Sequence, residues 1–419
     1  FLIVTFSRAA AGDMRRKLTE ELMERAEADP RFAPQLEKVE RAAVSTIHSF
    51  CVDLLREHFE SAGVDPAFRI LDGPELSQLE AQALNEAMEK VYTEGGEDLD
   101  ALLFGRTAKA VGALALDLYH FSLENPDPAA WLDAVCGLAL GDGALWFDEL
   151  AGAAKATLRD ARAYLLHALA LTGDPDGPAP YAAALTSDLE AVEAMLAAPR
   201  YEALSIEATR FKAKPFTAIR GKKEAPDERR EALKAQVTAL RTLVKKHIAK
   251  AAALLMPPEA ALEDMRALAP SLFALARIAA ALGTALEALK AEKSALHYTD
   301  LEHRALRALA DERVAAALQS RYRYVFVDEY QDVSDVQEAI LRGVTAPGRL
   351  FMVGDVKQSI YRFRQADPTL FLEKYRRYGR GDGGFLVALR QNFRSRTTVL
   401  DLVNRVFERV MTGGDAEIE

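Results

Sequence analysis

The sequence contains little cysteine and no long apolar run. Cys51 and Cys136 are the only cysteines in 419 residues, which excludes a disulfide framework and a four-thiolate zinc site. So few cysteines are typical of a protein from a reducing compartment, and we expect a cytoplasmic location. A membrane-spanning helix needs about 20 consecutive apolar residues. Because we find neither such a run nor a signal peptide, we expect no membrane partner.

Positive charge is in the minority over the whole chain. The net charge of -10 argues against a uniformly basic, histone-like nucleic-acid binder. The charge is unevenly spread, however, because residues 342–396 contain twelve Lys and Arg against four Asp and Glu. A second basic and aromatic stretch lies at residues 210–223. Contact with duplex DNA is one interpretation of that stretch, and a solvated run of charge is the other.

Three regions of the chain differ in pattern. Apolar runs at residues 1–6 and 44–47, each followed by a helical pattern, predict a parallel α/β sheet. Residues 61–296 carry Ala and Leu at helical spacing, which predicts an all-helical domain. The α/β pattern then returns, with strands predicted at 324–327, 350–355 and 385–389. We therefore expect one sheet domain that is interrupted by a helical insert.

The clearest chemical signal is a pair of acids after a predicted strand. Asp328 and Glu329 end the apolar run at residues 325–327, and open α/β sheets bind ligands at the carboxyl ends of their strands. In phosphoryl-transfer ATPases an Asp at this place holds Mg²⁺, and a neighbouring Glu can orient and deprotonate the attacking water. An acidic turn explains Asp-Glu alone, but the longer Asp-Glu-x-Gln-Asp string favours an ATPase site.

A second signal follows the next predicted strand. Gln358 is placed there to contact a γ-phosphate or its water. Tyr361 and Phe363 alternate with Arg362 and Arg364. Aromatic rings stack on bases and guanidinium groups hold phosphates, so this alternation suits a single-stranded nucleic acid. Packing of the two rings in the core is the alternative.

Three shorter segments complete the set. Arg394 could neutralise transition-state charge as an arginine finger, although a surface salt bridge would also explain it. The segments at residues 5–10 and 45–50 stand at predicted strand-to-helix turns. Their hydroxyls, His48 and backbone N–H groups could bind phosphates. Helix capping is the alternative for either segment.

These segments, in this order, resemble motifs Ia, Ib, II, III and IV of the UvrD/Rep-type superfamily 1 DNA helicases. Residues 46–51, 68–72 and 352–372 look like the AddA branch of that family, which is related to RecB. The resemblance implies a RecA-like parallel-sheet P-loop NTPase lobe with a large all-helical insert. It implies four domains, namely the first part of the motor lobe at 1–60, a 1B-like insert at 61–296, the second part of the lobe at 297–384 and the start of a 2A-like second lobe at 385–419.

The resemblance also implies roles for individual residues, with ATP and Mg²⁺ as cofactors. Asp328 would hold Mg²⁺, and Glu329 would be the catalytic base. Gln358 would contact the γ-phosphate, and Arg394 would be the arginine finger. The residues implied in DNA binding are Phe6, Ser7, Arg8, Thr46, His48, Ser49, Tyr361, Arg362 and Phe363. Ser7-Arg8 stands where the family more often has Thr-Asn.

The implied function is that of a 3′→5′ helicase subunit of a helicase-nuclease, which processes double-strand breaks for recombinational repair with an AddB-like partner. A stand-alone UvrD/Rep-like repair helicase and a non-catalytic DNA-binding module are the alternatives. The sequence holds no G-x-x-x-x-G-K-[ST] phosphate loop, since its one Gly-Lys pair, Gly221-Lys222, lacks the earlier Gly. The first residue is Phe1, so we expect the loop upstream of it and expect residues 1–419 alone not to hydrolyse ATP.

Overall fold

A computed structural model describes residues 1–218, 228–361, 366–389 and 391–410. The strands are β1 Leu2–Thr5, β2 Ala43–Thr46, β3 Arg69–Ile70, β4 Ala295–Leu296, β5 Val325–Val327 and β6 Leu350–Met352. The α-helices are α1 Arg8–Ala28, α2 Ala33–Glu40, α3 Ile47–Glu57, α4 Phe59–Ala62, α5 Gly73–Glu94, α6 Glu97–Leu103, α7 Ala108–Ser122, α8 Pro128–Leu138, α9 Ala144–Thr172, α10 Ala182–Ala197, α11 Tyr201–Arg210, α12 Glu228–Ala252, α13 Pro258–Glu292, α14 Tyr298–Leu309, α15 Glu312–Arg321, α16 Asp335–Val344, α17 Pro368–Gly379 and α18 Thr397–Val410. Short 3-10 turns lie at Pro30–Phe32, Ala179–Tyr181, Tyr330–Asp332 and Val356–Gln358.

The chain folds as two compact units. One contains Phe1–Leu54 together with Ala305–Glu419, and the other contains Leu55–Arg304. The first unit holds the larger sheet, and the second is almost entirely helical. The predicted domain division at residues 60, 296 and 384 stays a prediction.

The sheet of the first unit has the strand order β2-β1-β5-β6, and every neighbouring pair is parallel. The predicted parallel α/β sheet is thus confirmed. Side chains alternate between the two faces of a strand, so Leu2, Val4, Val325 and Val327 are all buried on one face. The helix α1 packs against β1 and β2, as expected for a strand-to-helix connection in a parallel sheet.

The second unit is built from helices whose apolar residues recur at helical spacing. In α5, Asp72 accepts a hydrogen bond from the Glu75 N–H at 2.9 Å and so caps the helix. Buried residues then follow every four positions at Leu79, Ala83 and Ala87. One group of helices packs α9, α10, α11 and α12 together, and a second group packs α5, α6, α7 and α8 against α13. The all-helical prediction holds except for the two-residue parallel pair of β3 with β4.

One helix corrects the expectation that no apolar stretch could span a membrane. By length and composition α13 is long and apolar enough, with a window of mean hydropathy 1.7. Within its own unit α13 packs against α5, α6, α7 and α8, and Ile278, Leu282 and Leu286 are buried there. A core helix rich in Ala and Leu passes the same composition test, so α13 is weak support for a membrane span.

The predicted strand at 385–389 is wrong. These residues have no regular secondary structure and pair with no strand in the described part of the molecule. Phe385 is 98% exposed and Leu389 is 87% exposed. An apolar run becomes a strand only where a neighbour completes its hydrogen-bond ladder. The apolar run at 385–389 therefore indicates β propensity, but it does not show whether a partner strand lies beside it.

Candidate active site

The predicted site segments of the first unit follow the carboxyl ends of its four parallel strands. In the parallel register, Thr5 lies opposite Thr46, and Val327 lies opposite both Val4 and Met352. The strands therefore end at nearly the same level. Because parallel strands all point the same way, everything that follows them lies along one edge of the sheet. This edge is called the strand-end edge below.

Asp328 stands at the centre of the strand-end edge, directly after β5. Its N–H donates to the Val4 carbonyl at 3.0 Å and so continues the ladder between β1 and β5. Its side chain is half-buried, and no described residue donates a hydrogen bond to its carboxylate. Mg²⁺ prefers oxygen ligands and often takes one or two carboxylates while water and phosphate supply the rest. The donor chemistry of Asp328 fits such an ion.

Glu329 has a left-handed backbone, with φ 53° and ψ 44°. This conformation is uncommon for a residue other than Gly, and it costs about 1–3 kcal/mol unless its surroundings impose it. The 3-10 turn Tyr330–Asp332 follows immediately. The effect is to end β5 sharply and leave the Glu329 side chain exposed at the strand-end edge.

Gln331 is a site residue to which the sequence analysis gave no role. It is only 1% exposed. Its Nε2 donates to Glu329 Oε2 at 2.8 Å, and its Oε1 accepts from the Asp355 N–H at 2.9 Å. The Ser359 hydroxyl donates to the Gln331 carbonyl at 3.3 Å. Gln331 thus joins the turn after β5 to the turn after β6.

Asp332 adds a second acid beside Glu329. Its Oδ1 is buried and accepts no hydrogen bond from the described residues. Burial, and then the neighbouring charge of Glu329, raise the pKa of Asp332 above its usual value. The turn after β5 therefore brings the acids Asp328, Glu329 and Asp332 together, and a bound cation would offset their mutual repulsion.

A buried cluster of polar side chains packs against the turn after β5. The Tyr330 hydroxyl and Lys374 Nζ both donate to the carboxylate of Glu338, which is 4% exposed. Burial and the Glu338 charge raise the pKa of Tyr330, so the phenol stays protonated and remains a donor. Lys374 also lies 5.3 Å from the centroid of the Tyr330 ring. These contacts connect the turn after β5 to α16 and α17.

Gln358 lies in the turn after β6 and is exposed. Its side-chain amide donates to Asp355 Oδ2 at 3.1 Å, and Lys357 Nζ lies 3.1 Å from Asp355 Oδ1. Burial by itself would raise the pKa of Asp355, but the hydrogen bonds from Gln358 and Lys357 bring it below the usual value. Asp355 therefore stays charged and orients the Gln358 side chain.

Phe6 and Tyr361 are brought together although they lie far apart in the sequence. Their rings stack with centroids 4.7 Å apart and an interplanar angle of 29°. Phe6 is 40% exposed, so the pair is not a core contact. A stacked aromatic pair with an accessible face can accept a nucleic-acid base.

The hydroxyl residues of the two N-terminal segments act as helix caps. Ser7 Oγ accepts from the Ala10 N–H at 3.1 Å at the start of α1. Thr46 Oγ1 accepts from the Ser49 N–H at 3.3 Å at the start of α3. Ser7 and Thr46 therefore cap their helices, and their predicted contacts with DNA stay predictions. His48, in the first turn of α3, is half-buried.

The arginines expected at the site are not joined to its carboxylates by any described contact. Arg8 and Arg394 are exposed and form no ion pair with a described residue. The backbone N–H of Arg394 donates to Asn392 Oδ1 at 2.9 Å. Arg362 and Phe363 lie outside the described residues.

Gly354 is the residue that lets the two turns approach each other. A Cβ at this position would lie 2.6 Å from Gln331 Oε1 and 3.0 Å from Phe371 Cε2. We expect Gly354→Ala to lower the free energy of unfolding by about 1–3 kcal/mol, because the added methyl group overpacks the turn. Urea unfolding followed by circular dichroism measures the change.

Gly12 provides a matched control for this substitution. It lies within α1, and a Cβ there would meet nothing within 4 Å. Gly12→Ala should leave stability unchanged or raise it by up to about 1 kcal/mol. Equal effects of the two substitutions would contradict the close packing of Gly354 on Gln331.

Comparisons with known proteins identify related sequences. The family described as the UvrD/REP helicase N-terminal domain matches residues 1–379. The ATP-dependent helicase/nuclease (A subunit) of Alkaliphilus metalliredigens is 36% identical over 434 residues, covering 100% of this chain and 36% of the relative. The proteins of the same name from Syntrophomonas wolfei and Pelotomaculum thermopropionicum are 36% and 37% identical, again over 100% of this chain and 35% of each relative. The chain thus spans about a third of the length of these relatives, and by its match over residues 1–379 it belongs to the UvrD/Rep helicase family.

Proposed function

We propose that the protein is an ATP-dependent DNA helicase subunit that moves 3′→5′ along single-stranded DNA. One observation carries the proposal. The Asp328-Glu329 pair and the Phe6–Tyr361 stack follow strands of the same sheet and share the strand-end edge. An acidic pair suited to nucleotide chemistry and an aromatic pair suited to a base are what a motor needs in order to couple hydrolysis to strand movement.

The proposed ATP site uses the residues of the turns after β5 and β6. Asp328 would hold Mg²⁺, which when bound neutralises charge on the phosphates. Glu329 orients the attacking water and takes its proton. Gln358, oriented by Asp355, contacts the γ-phosphate, and Arg394 is the arginine finger that offsets transition-state charge.

The proposed DNA site follows β1 and β2 and continues past β6. The rings of Phe6 and Tyr361 stack on bases, and the exposed Arg8 binds the backbone by charge. The helix starts at α1 and α3 offer backbone N–H groups to phosphates. Further strand contacts are proposed for Ser7, Thr46, His48, Ser49, Arg362 and Phe363. Residues 210–223 in the helical unit are proposed to meet duplex DNA.

The relatives' printed name extends the proposal to a helicase-nuclease. We propose a RecA-like motor lobe, a cytoplasmic location, nuclease activity in the complete protein and an AddB-like partner, together processing double-strand breaks for recombination. Because that name calls each relative one subunit of a helicase/nuclease, it supports both the nuclease and the partner. The strand order β2-β1-β5-β6 supports the RecA-like lobe.

A strand-displacement assay tests the proposed function. The protein, expressed from its complete gene, is given ATP, Mg²⁺ and a duplex with a single-stranded tail of either polarity. We expect unwinding of the 3′-tailed duplex and little unwinding of the 5′-tailed duplex. Salt-sensitive DNA binding without ATP-driven unwinding would instead indicate a non-catalytic DNA-binding module.

A further inference from the structure

The Gln331 side chain occupies an unusual place for an uncharged residue. It is buried between two strand-end turns, and both ends of its amide have partners. Nε2 faces the carboxylates of Glu329 and Asp332 at 2.8 Å and 3.4 Å, while Oε1 takes the Asp355 N–H. A buried amide must satisfy its donors and acceptors, so this pattern fixes the orientation of the side chain.

The surroundings hold Gln331 in that orientation. Gly354 leaves room for the amide oxygen, and the Ser359 hydroxyl anchors the Gln331 carbonyl. Glu329, in contrast, is exposed. Among the described residues, Gln331 is the one donor to the Glu329 carboxylate. An exposed side chain with a single fixed partner takes its position from that partner.

We propose that Gln331 is a positioning residue, which holds the Glu329 carboxylate and links it to the turn that carries Gln358. The inference rests on the proposed role of Glu329 as the base. A neutral amide suits this task because it donates a hydrogen bond and adds no charge that would weaken the base. The link also means that a shift of the turn after β6 moves the carboxylate after β5.

A carboxyl group at position 331 would disturb this arrangement more than an apolar side chain would. Asp328 and Asp332 are acids on the same turn as Glu329, and a carboxylate at position 331 would face Glu329 in place of the amide donor. Repulsion between the two carboxylates would move the Glu329 side chain away from position 331.

Two substitutions separate positioning from general damage. Gln331→Glu keeps the shape and replaces the donor by a carboxyl group, and Gln331→Met keeps most of the volume and removes both hydrogen bonds. Single-turnover ATP hydrolysis by the complete protein, with single-stranded DNA, is measured together with ATP affinity, both in the wild-type background and in Glu329→Gln. Gln319→Glu is the control, because the Gln319 amide also donates a hydrogen bond, but to the Gly343 carbonyl at 2.9 Å and not to a carboxylate.

We expect both Gln331 variants to lose about tenfold to hundredfold in rate, with ATP affinity changed by less than about twofold. In the Glu329→Gln background, Gln331→Met should lower the rate by less than about twofold, because the carboxylate that Gln331 holds is already absent. Gln319→Glu should keep the wild-type rate. If Gln331→Glu does not fold, the Gln331→Met rates decide.

The outcomes separate this inference from the proposed function. A Glu329→Gln variant with near-wild-type hydrolysis would contradict the proposed function itself. Strongly reduced hydrolysis in Glu329→Gln combined with wild-type rates for the Gln331 variants would overturn the positioning role alone. An equal loss from Gln331→Met in the wild-type and Glu329→Gln backgrounds would also overturn it, since a merely structural role predicts that pattern.

Discussion

Replacing Glu329 by Gln should lower ATP hydrolysis by the complete protein by about 10²- to 10⁴-fold, the usual contribution of a general base. The substitution keeps the size of the side chain and the acceptor for the Gln331 amide, and it removes the group that takes the proton. Steady-state hydrolysis with saturating single-stranded DNA measures the loss. Binding of ATP and DNA should change little, because Asp328 and the Phe6–Tyr361 stack are untouched.

Glu312→Gln is the matched control for this prediction. Glu312 is an exposed acid in the first turn of α15 within the same unit. Its replacement removes one negative charge at a place without proposed chemistry, so turnover should stay at the wild-type level. Loss of activity in both variants would point to net charge as the cause, and near-wild-type activity of Glu329→Gln would remove Glu329 from the mechanism.

Replacing Asp188 by Ala should lower the free energy of unfolding of the helical unit by about 3–5 kcal/mol. Asp188 is 1% exposed and accepts from Arg241 Nε at 2.7 Å. Arg241 also donates to the Lys214 carbonyl at 2.6 Å and lies 4.3 Å from the centroid of the Phe216 ring. Loss of the carboxylate leaves a buried guanidinium without its counter-charge, which is the costly way to break such a pair.

An exposed ion pair between α9 and α10 provides the control. Arg162 and Glu193 approach to 3.2 Å, with side chains 47% and 50% exposed. Glu193→Ala should cost less than about 1 kcal/mol, because water screens this pair. Urea unfolding followed by circular dichroism compares the variants. Similar small effects at Asp188 and Glu193 would show that the buried pair does not stabilise this unit.

The Asp188 prediction also bears on the basic stretch at residues 210–223. Arg241 donates a hydrogen bond to the Lys214 carbonyl of this stretch, and Phe216 stacks on Tyr181 with centroids 3.9 Å apart. Phe216 therefore packs within the helical unit, while Lys212 and Lys214 remain exposed. Over the described residues 210–218, the exposed lysines therefore belong to a segment that is held to the helical unit by Arg241 and Tyr181.

The sequence predicted the strands of the larger sheet because short apolar runs mark them. Parallel strands that alternate with helices bring their carboxyl ends to one edge. Segments far apart along the chain, such as those holding Phe6 and Asp328, therefore lie along the same edge in the structure. The acids of the turn after β5 were recognised from residue type and position alone.

Other features depended on partners that a sequence does not display. The amide of Gln331 reaches a backbone N–H 24 residues away, and no periodicity marks such a contact. The pairing of β3 with β4 joins two-residue segments from opposite ends of the helical unit. Residues 385–389 show the converse case, in which an apolar run with β propensity pairs with no strand among the described residues. Tertiary context decides all three.

The most direct test of the central claim is the rate of ATP hydrolysis by the complete protein with and without single-stranded DNA. The claim is that nucleotide chemistry and strand binding share the edge defined by Asp328, Glu329, Phe6 and Tyr361. It predicts Mg²⁺-dependent hydrolysis that rises as single-stranded DNA is added and saturates when the DNA is bound. Hydrolysis that is absent, or that does not respond to DNA at concentrations where binding is complete, would contradict it.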